Sequence, residues 1–220
     1  MDNKQLASLR REYDKGQLTR QELPNNPLTL LIKWLEEAKL ANIPDPSAFV
    51  LSTVNKQHQP SSRIVLMKAL DELAHSITFF TNYESNKARC IDDNNQVSVL
   101  FPWYMLERQV IAIGIAKKTS IDISKDYFYS RPKESQIAAI SSKQSTQLKS
   151  KKPLLETYHH LCETYAEEKV PFPNNWGGYE IALHSIEFWQ GGVHRLHDRF
   201  KYELKDKNEG TAWEISRLSP

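Results

Sequence analysis

The stretch Ala48-Phe49-Val50-Leu51-Ser52-Thr53-Val54-Asn55-Lys56-Gln57-His58-Gln59-Pro60 decides the fold. A β-branched and aromatic run stops at a polar turn, and a second run, Arg63–Ala69, follows almost at once. The gap is too short to hold a crossover helix, so the two runs are predicted to be antiparallel neighbours. Ile77–Thr81, Gln96–Trp103 and Gln109–Lys117 repeat the same texture. Several such strands without long helical partners predict a closed or nearly closed barrel.

Working outward, Asn26 is placed as an N-cap and Pro27 at the first helical position. Leu28, Leu31, Leu35 and Ala38 follow at helical spacing, Trp34 widens the apolar face, and Asn42 and Pro44 end the helix. The first 26 residues are polar and mixed in charge, which predicts a mobile arm. Downstream, a helical stretch runs from Asp122 to about Ser141 with an interruption at Arg131-Pro132. Ser142–Lys152 holds four lysines and no acid and reads as an exposed loop. A second amphipathic helix, Pro153–Glu168, precedes three more strands: Tyr179–Gln190, His194–Leu204 and Thr211–Leu218. The last two are expected to pair as a hairpin through Lys205–Gly210. With no repeat and no linker, residues 27–220 are predicted to form one α+β domain.

Composition narrows the function. A chain of 220 residues, 40% hydrophobic and 25% charged, is that of an ordinary soluble protein. Met1-Asp2-Asn3-Lys4-Gln5 leads into no apolar stretch, so no signal peptide is expected, and no run is long enough to cross a membrane. Cys90 and Cys162 are too few and too far apart for a disulfide framework, and the expected location is the cytoplasm. The net charge of +2 gives no global field for nucleic acid. The glycines form no G-x-G, which excludes the dinucleotide fingerprint and the Walker A loop together. There is no G-x-S-x-G elbow and no H-E-x-x-H.

Phe188–Phe200 is the densest constellation. On a strand, Arg195, His197 and Arg199 project to one face, a floor for a phosphorylated or carboxylated ligand. A solvated outer face partnered by Asp198 is the alternative. His194 and His197, three apart on a strand, point to opposite faces, so no metal site is expected. If helical geometry holds across the break, Tyr127, Arg131 and Ser135 stack as a phosphate clamp; an incidental surface contact is the alternative. Arg63-Ile64-Val65-Leu66-Met67-Lys68 is an apolar run with a cation at each end, and Ser85-Asn86-Lys87 opens a helix with a lysine in its first turn. Arg63, Lys68, Lys87, Arg131, Arg195 and Arg199 supply six cations. One phosphate monoester carries about −1.5 to −2 charges, so six cations point to two phosphorylated ligands. No nucleophile–base pair accompanies them, so the side chains are suited to hold ligands while a cofactor supplies the chemistry.

Trp189-Gln190-Gly191-Gly192-x-x-Arg195-Leu196-His197-Asp198-Arg199 resembles the C-terminal signature of the pyridoxamine 5′-phosphate oxidase family, FMN enzymes of vitamin B6 metabolism. The likeness continues through Leu9–Tyr13, Arg63–Lys68, Phe101-Pro102-Trp103, Leu106–Val110, Ser130–Pro132 with Ser135–Ile137, and Ser142–Ser145. It implies a split β-barrel of antiparallel strands with peripheral helices, working as a homodimer with FMN in clefts at the subunit interface. It implies cofactor contacts from Arg63, Ile64, Val65, Leu66, Met67, Lys68, Phe80, Thr81, Asn86, Lys87, Gln109, Gln144, Ser145, Trp189 and Arg199. Lys68, Tyr127, Arg131 and Ser135 correspond to residues that hold the substrate phosphate. Arg195 and His197 correspond to the residues against the substrate ring. Arg10 and Tyr13 resemble a lid, with Asp45 near the site. Asn86 stands where a basic residue often precedes the lysine, Phe80 where tyrosine is common, and Ala138-Ala139-Ile140 where Gly-Ala-Trp is usual.

The implied substrates are pyridoxamine 5′-phosphate, pyridoxine 5′-phosphate and dioxygen. The implied chemistry is hydride transfer from substrate C4′ to flavin N5, with hydrogen peroxide formed on reoxidation. A flavin binder without this activity would lack the Lys68, Tyr127, Arg131, Ser135, Arg195 and His197 set. A nucleic-acid binder would need aromatic residues interleaved in the Lys143–Lys152 loop.

Overall fold

The computed structural model describes residues 2–9, 11–207 and 210–220. In chain order the elements are α1 (Asn3–Ser8), α2 (Pro27–Leu40), β1 (Ala48–Val54), β2 (Pro60–Leu66), β3 (Ala69–Asp71), β4 (Ser76–Asn82), α3 (Asn86–Asp93), β5 (Gln96–Phe101), β6 (Arg108–Lys118), α4 (Ile121–Ser130), α5 (Lys133–Ser141), α6 (Lys152–Thr164), β7 (Trp176–Gln190), β8 (Asp198–Lys207) and β9 (Gly210–Leu218). Among the described residues, nine strands form one sheet in the order β2-β1-β5-β6-β7-β4-β3, with β8 paired to β7 and β9 to β8. Among the described residues, no helix is long and apolar enough to cross a membrane.

The chain forms two compact units, one from Met1–Val50, Ser98–Ile113 and Leu183–Pro220, the other from Leu51–Val97 and Gly114–Ala182. In the first, the Asn26 side chain accepts the Leu28 N–H at 3.0 Å and Pro27 opens α2, as the sequence implies. That helix buries Leu28, Leu30, Leu31, Trp34 and Ala38. The Trp34 ring meets Phe188 edge-on at 5.2 Å, and Phe49 lies 5.4 Å from Phe101. Glycines 191 and 192 end β7, and the chain returns as β8, which pairs antiparallel with β7 from Gln190↔Asp198 to Ser185↔Glu203.

In the second unit β4 pairs antiparallel with β7, from Ser76↔Ala182 to Asn82↔Trp176. Phe79 and Tyr179 stack at 5.6 Å on this pair. Gly114 is required on β6, the other neighbour of β7, because a Cβ would stand 2.4 Å from the Ala182 carbonyl oxygen. The Ser85 side chain caps α3 by accepting the Ala88 N–H. Helices α4 and α5 cover a cluster of Phe128, Ile137, Val170 and Trp176.

Four expectations are corrected. The strand expected from His194 begins only at Asp198, because Val193–Arg195 is a 3-10 turn in which His194 (φ 56) and Arg195 (φ 64) are left-handed. Arg195 therefore does not share a strand face with His197 and Arg199. The Tyr127–Arg131–Ser135 column is also broken, since Arg131 is extended (φ −79, ψ 151) and Pro132 starts a separate helix. Pro132 forces this by disfavouring helical geometry in the residue before it. Finally, α6 ends at Thr164 instead of Glu168, and β8 extends to Lys207, into the expected Lys205–Gly210 turn.

Candidate functional site

In the second unit a cavity of about 570 Å³ opens beside β2 and β4. Its lining contains Arg63, Lys68, Lys87 and Arg131 and, among the described residues, no carboxylate. Alternation along β2 half-buries Arg63 on the same face as Ser61 and Val65. The Arg63 guanidinium donates to Leu51 O at 3.0 Å, Thr53 Oγ1 at 2.8 Å and Ser61 Oγ at 2.5 Å, all neutral acceptors. Lys87, in the first turn of α3, donates to Thr81 Oγ1 at 3.1 Å, Ser85 Oγ at 3.3 Å and Gln144 Oε1 at 2.7 Å. Burial, aided by the charge of Arg63, pulls its pKa down to about 8. Burial likewise lowers the pKa of Arg63.

Arg131 donates from Nη2 to the Ser135 carbonyl at 2.6 Å, while its Nη1 is buried without a partner. Its guanidinium lies 4.8 Å over Trp176. Tyr127 stacks on Phe80 at 3.9 Å and on Trp176 at 6.2 Å, so three rings form one platform. Burial raises the Tyr127 pKa against the pull of Arg131, and burial lowers that of Arg131. Four cations sharing a cavity without a carboxylate repel one another, and the arrangement is relieved by anions. With neutral acceptors already placed and a guanidinium nitrogen free, this donor set fits phosphate monoesters. The FMN phosphate is one such group, so the residues present fit that cofactor.

The first unit carries a second cluster. Tyr13 meets Trp189 edge-on at 5.8 Å and His197 at 5.4 Å, and the Trp189 and His197 rings lie 4.6 Å apart. Arg195 sits 5.3 Å over the Tyr13 ring. His197 Nδ1 accepts the Gly192 N–H at 3.1 Å, which leaves the proton of the neutral imidazole on Nε2. Burial lowers the His197 pKa, and Arg195 and Arg199 push the same way, which favours the neutral ring. Arg199 is tied to Glu187 at 2.8 Å and to Ser219 O at 2.9 Å. Gln109 lines a cavity of about 520 Å³ with Tyr13 and Trp189.

The first cavity thus gathers Arg63, Ile64, Val65, Leu66, Lys68, Phe80, Thr81, Lys87, Tyr127, Arg131 and Gln144 from the residues singled out in the sequence. Met67 is buried at 8% exposure and does not line it. Ser135 reaches it only through the carbonyl that holds Arg131. The Asn86 N–H donates to Ser145 Oγ at 3.1 Å, beside the lining and not in it. Asp45 is exposed in the first unit, with φ 46 and no place in either cavity. Arg10 lies outside the described residues. Sequence reasoning missed Asn82, Ser142 and Trp176, which line the cavity with Ala138 and Ala139. Trp176-Gly177-Gly178 carried a signal, because paired glycines let other groups approach closely: a Cβ at Gly177 would meet Tyr83 Oη at 2.2 Å. Among the described residues, no group of three or more His, Cys, Asp and Glu could hold a metal ion.

Residues 35–158 match the family model described as pyridoxamine 5′-phosphate oxidase, and residues 176–220 match the pyridoxine 5′-phosphate oxidase C-terminal dimerisation region. The chain is 48% identical over 216 residues to the pyridoxine/pyridoxamine 5′-phosphate oxidase of Escherichia coli O1:K1, covering 98% of this chain and 96% of that protein. Among solved structures it is similar to PhzG from Burkholderia lata 383, in complex with tetrahydrophenazine-1-carboxylic acid. The TM-score is 0.84 at 27% identity, over 92% of this chain and 98% of that one. A pyridoxamine 5′-phosphate oxidase-related, FMN binding protein from Nostoc punctiforme PCC 73102 shares the fold, with a TM-score of 0.70 at 11% identity over 90% and 99% of the two chains. The expected α+β split-barrel fold is therefore the one observed. By its family models and its full-length relative, this chain belongs to the pyridoxine/pyridoxamine 5′-phosphate oxidase family.

Proposed function

We infer that this chain is an FMN-dependent oxidase that converts pyridoxamine 5′-phosphate and pyridoxine 5′-phosphate to pyridoxal 5′-phosphate. The observation that carries the reading is the cavity with four cations and no carboxylate, in a chain 48% identical to an enzyme of that name. Arg63 and Lys87, with Thr81 and Gln144, would hold the FMN phosphate. Lys68, Tyr127 and Arg131 would hold the substrate phosphate, Arg131 through its free Nη1, with Ser135 fixing the guanidinium from behind. Bound FMN would supply the redox chemistry, accepting a hydride equivalent from substrate C4′ and being reoxidised by dioxygen with formation of hydrogen peroxide, while water would hydrolyse the imine formed from the amine substrate to the aldehyde and ammonia.

The protein contributes placement and electrostatics. His197 in its neutral form offers an Nε2–H donor beside Trp189, and Arg195, over the Tyr13 ring, would supply a positive charge to the substrate ring. The match of residues 176–220 to a dimerisation region supports a homodimer, with FMN in clefts at the subunit interface as its finer arrangement. The cytoplasm is the location consistent with this chemistry, and small molecules are the only ligands it needs.

Anaerobic addition of pyridoxine 5′-phosphate to the FMN-loaded protein tests the reading. The flavin absorbance should bleach and return on admission of air. A flavin spectrum that ignores the substrate would refute the activity while leaving the cofactor in place.

A further inference from the structure

Glu107 is a carboxylate only 2% exposed that the proposed reaction does not use. It follows the 3-10 turn Tyr104–Leu106 and is held left-handed at φ 55, an unfavourable conformation for a residue with a Cβ. Its two oxygens reach the N-terminal arm on either side of Tyr13. The Lys15 N–H donates to Oε2 at 3.0 Å, and Arg11 Nη2 lies 3.6 Å from Oε1. The same two residues grip the turn itself, Arg11 through Tyr104 O at 2.9 Å and Lys15 Nζ through Met105 O at 2.8 Å. Gly191 closes the assembly from below: its N–H donates to Glu107 O at 2.7 Å, and a Cβ there would lie 3.0 Å from the Cβ atoms of both Glu107 and Tyr13.

We propose that Glu107 is a positioning residue, a buried anchor that ties down residues 11–15 so that Tyr13 faces Trp189, His197 and Arg195. A carboxylate removed from water is costly unless it is hydrogen-bonded and paired. Here the arm supplies both a backbone N–H and a guanidinium, so holding the arm and satisfying the carboxylate are one event. The effect on substrate rests on the functional reading above, whereas the anchoring does not.

The experiment compares FMN-loaded wild type with Glu107→Ala and Glu107→Gln by limited trypsin digestion and by kinetics with pyridoxine 5′-phosphate. In Glu107→Ala, cleavage after Arg11 and Lys15 should run about tenfold faster and KM should rise about tenfold, the scale of one lost hydrogen bond to a charged group. The kcat should stay within about threefold, because the anchor touches neither cofactor nor substrate. Glu107→Gln keeps an oxygen for the Lys15 N–H and loses the charge facing Arg11, so it should fall between. It also carries the test if the alanine variant fails to fold. Wild-type cleavage and KM in folded, FMN-loaded variants would overturn the proposal, as would a loss confined to kcat. Faster cleavage alongside a wild type that turns over no pyridoxine 5′-phosphate would uphold the anchor and refute the functional reading.

Discussion

In the unit built from Met1–Val50, Ser98–Ile113 and Leu183–Pro220, arginines meet carboxylates: Arg11 with Glu107, Arg108 with Glu37, Arg199 with Glu187 and Arg217 with Asp198. In the other unit, the cavity cations Arg63, Lys68, Lys87 and Arg131 line a space with no acid, and none forms an ion pair among the described residues. Both units hold half-buried guanidiniums, so burial alone does not separate them. What differs is the counter-charge: in the first unit the chain supplies the acid, and in the second the proposed reading leaves that role to a bound phosphate.

The first way to break this comparison is Arg195→Leu. Arg195 lies over the Tyr13 ring and, among the described residues, forms no ion pair, as a ligand-facing charge should. Its loss should lower kcat/KM by about 10² or more, on the scale of one preorganised donor, with FMN still bound. Near-normal turnover would remove it from the reaction.

Arg131→Ala should act mainly on binding, raising KM for pyridoxine 5′-phosphate about tenfold through one lost charge-assisted contact. A collapse of kcat at unchanged KM would reassign the residue. Lys87→Met sharpens the contrast further. It should weaken FMN binding about tenfold yet leave the thermal stability of the FMN-free protein level or higher, because a partly buried cation with no carboxylate partner among the described residues is removed. A marked loss of FMN-free stability would mean that Lys87 braces the fold after all.

The pH dependence has a definite sign. Lys87 titrates at about 8 in the free protein, and a bound phosphate favours its charged form. Below pH 8 the lysine is already charged and its contribution to FMN affinity is level. Above pH 8 the affinity should fall by up to about tenfold per pH unit until the raised pKa of the complex is passed. Affinity that is flat from pH 7 to 10 in a fluorescence titration would contradict this. The smallest effect belongs to an exposed, paired cation: Lys56→Ala, which breaks the 3.2 Å pair with Asp93, should change stability by no more than about 1 kcal/mol.

The fold was legible wherever local rules and burial agree. β1 spans Ala48–Val54 as read from its β-branched and aromatic run before a polar turn, and α2 starts at its Asn26–Pro27 cap. The break at Arg131-Pro132 was also visible, because proline's restriction on its predecessor is local. The turn at Val193–Arg195 was not. Nothing in the residue types announces two successive non-glycine residues in the left-handed region, and the loop folds tightly on itself there: a Cβ at Gly192 would stand 2.4 Å from the Leu196 carbonyl oxygen. A strand reading of that segment placed Arg195 beside Arg199, whereas the turn places it against Tyr13. Among the site residues, the cations were found because charge is written in the sequence. Trp176 and Asn82 were missed because their place comes from the β4–β7 register, which sets them opposite one another across a long separation in the chain.

The most direct measurement is a fluorescence titration of the FMN-free protein with FMN and, in parallel, with riboflavin. The two ligands share the ring system and differ in the phosphate. If the acid-free cavity is a phosphate site, FMN should bind at least about 10²-fold more tightly, the sum of two charge-assisted contacts, and Lys87→Met should narrow the gap. Equal affinity for the two would mean that the four cations serve something other than the phosphate.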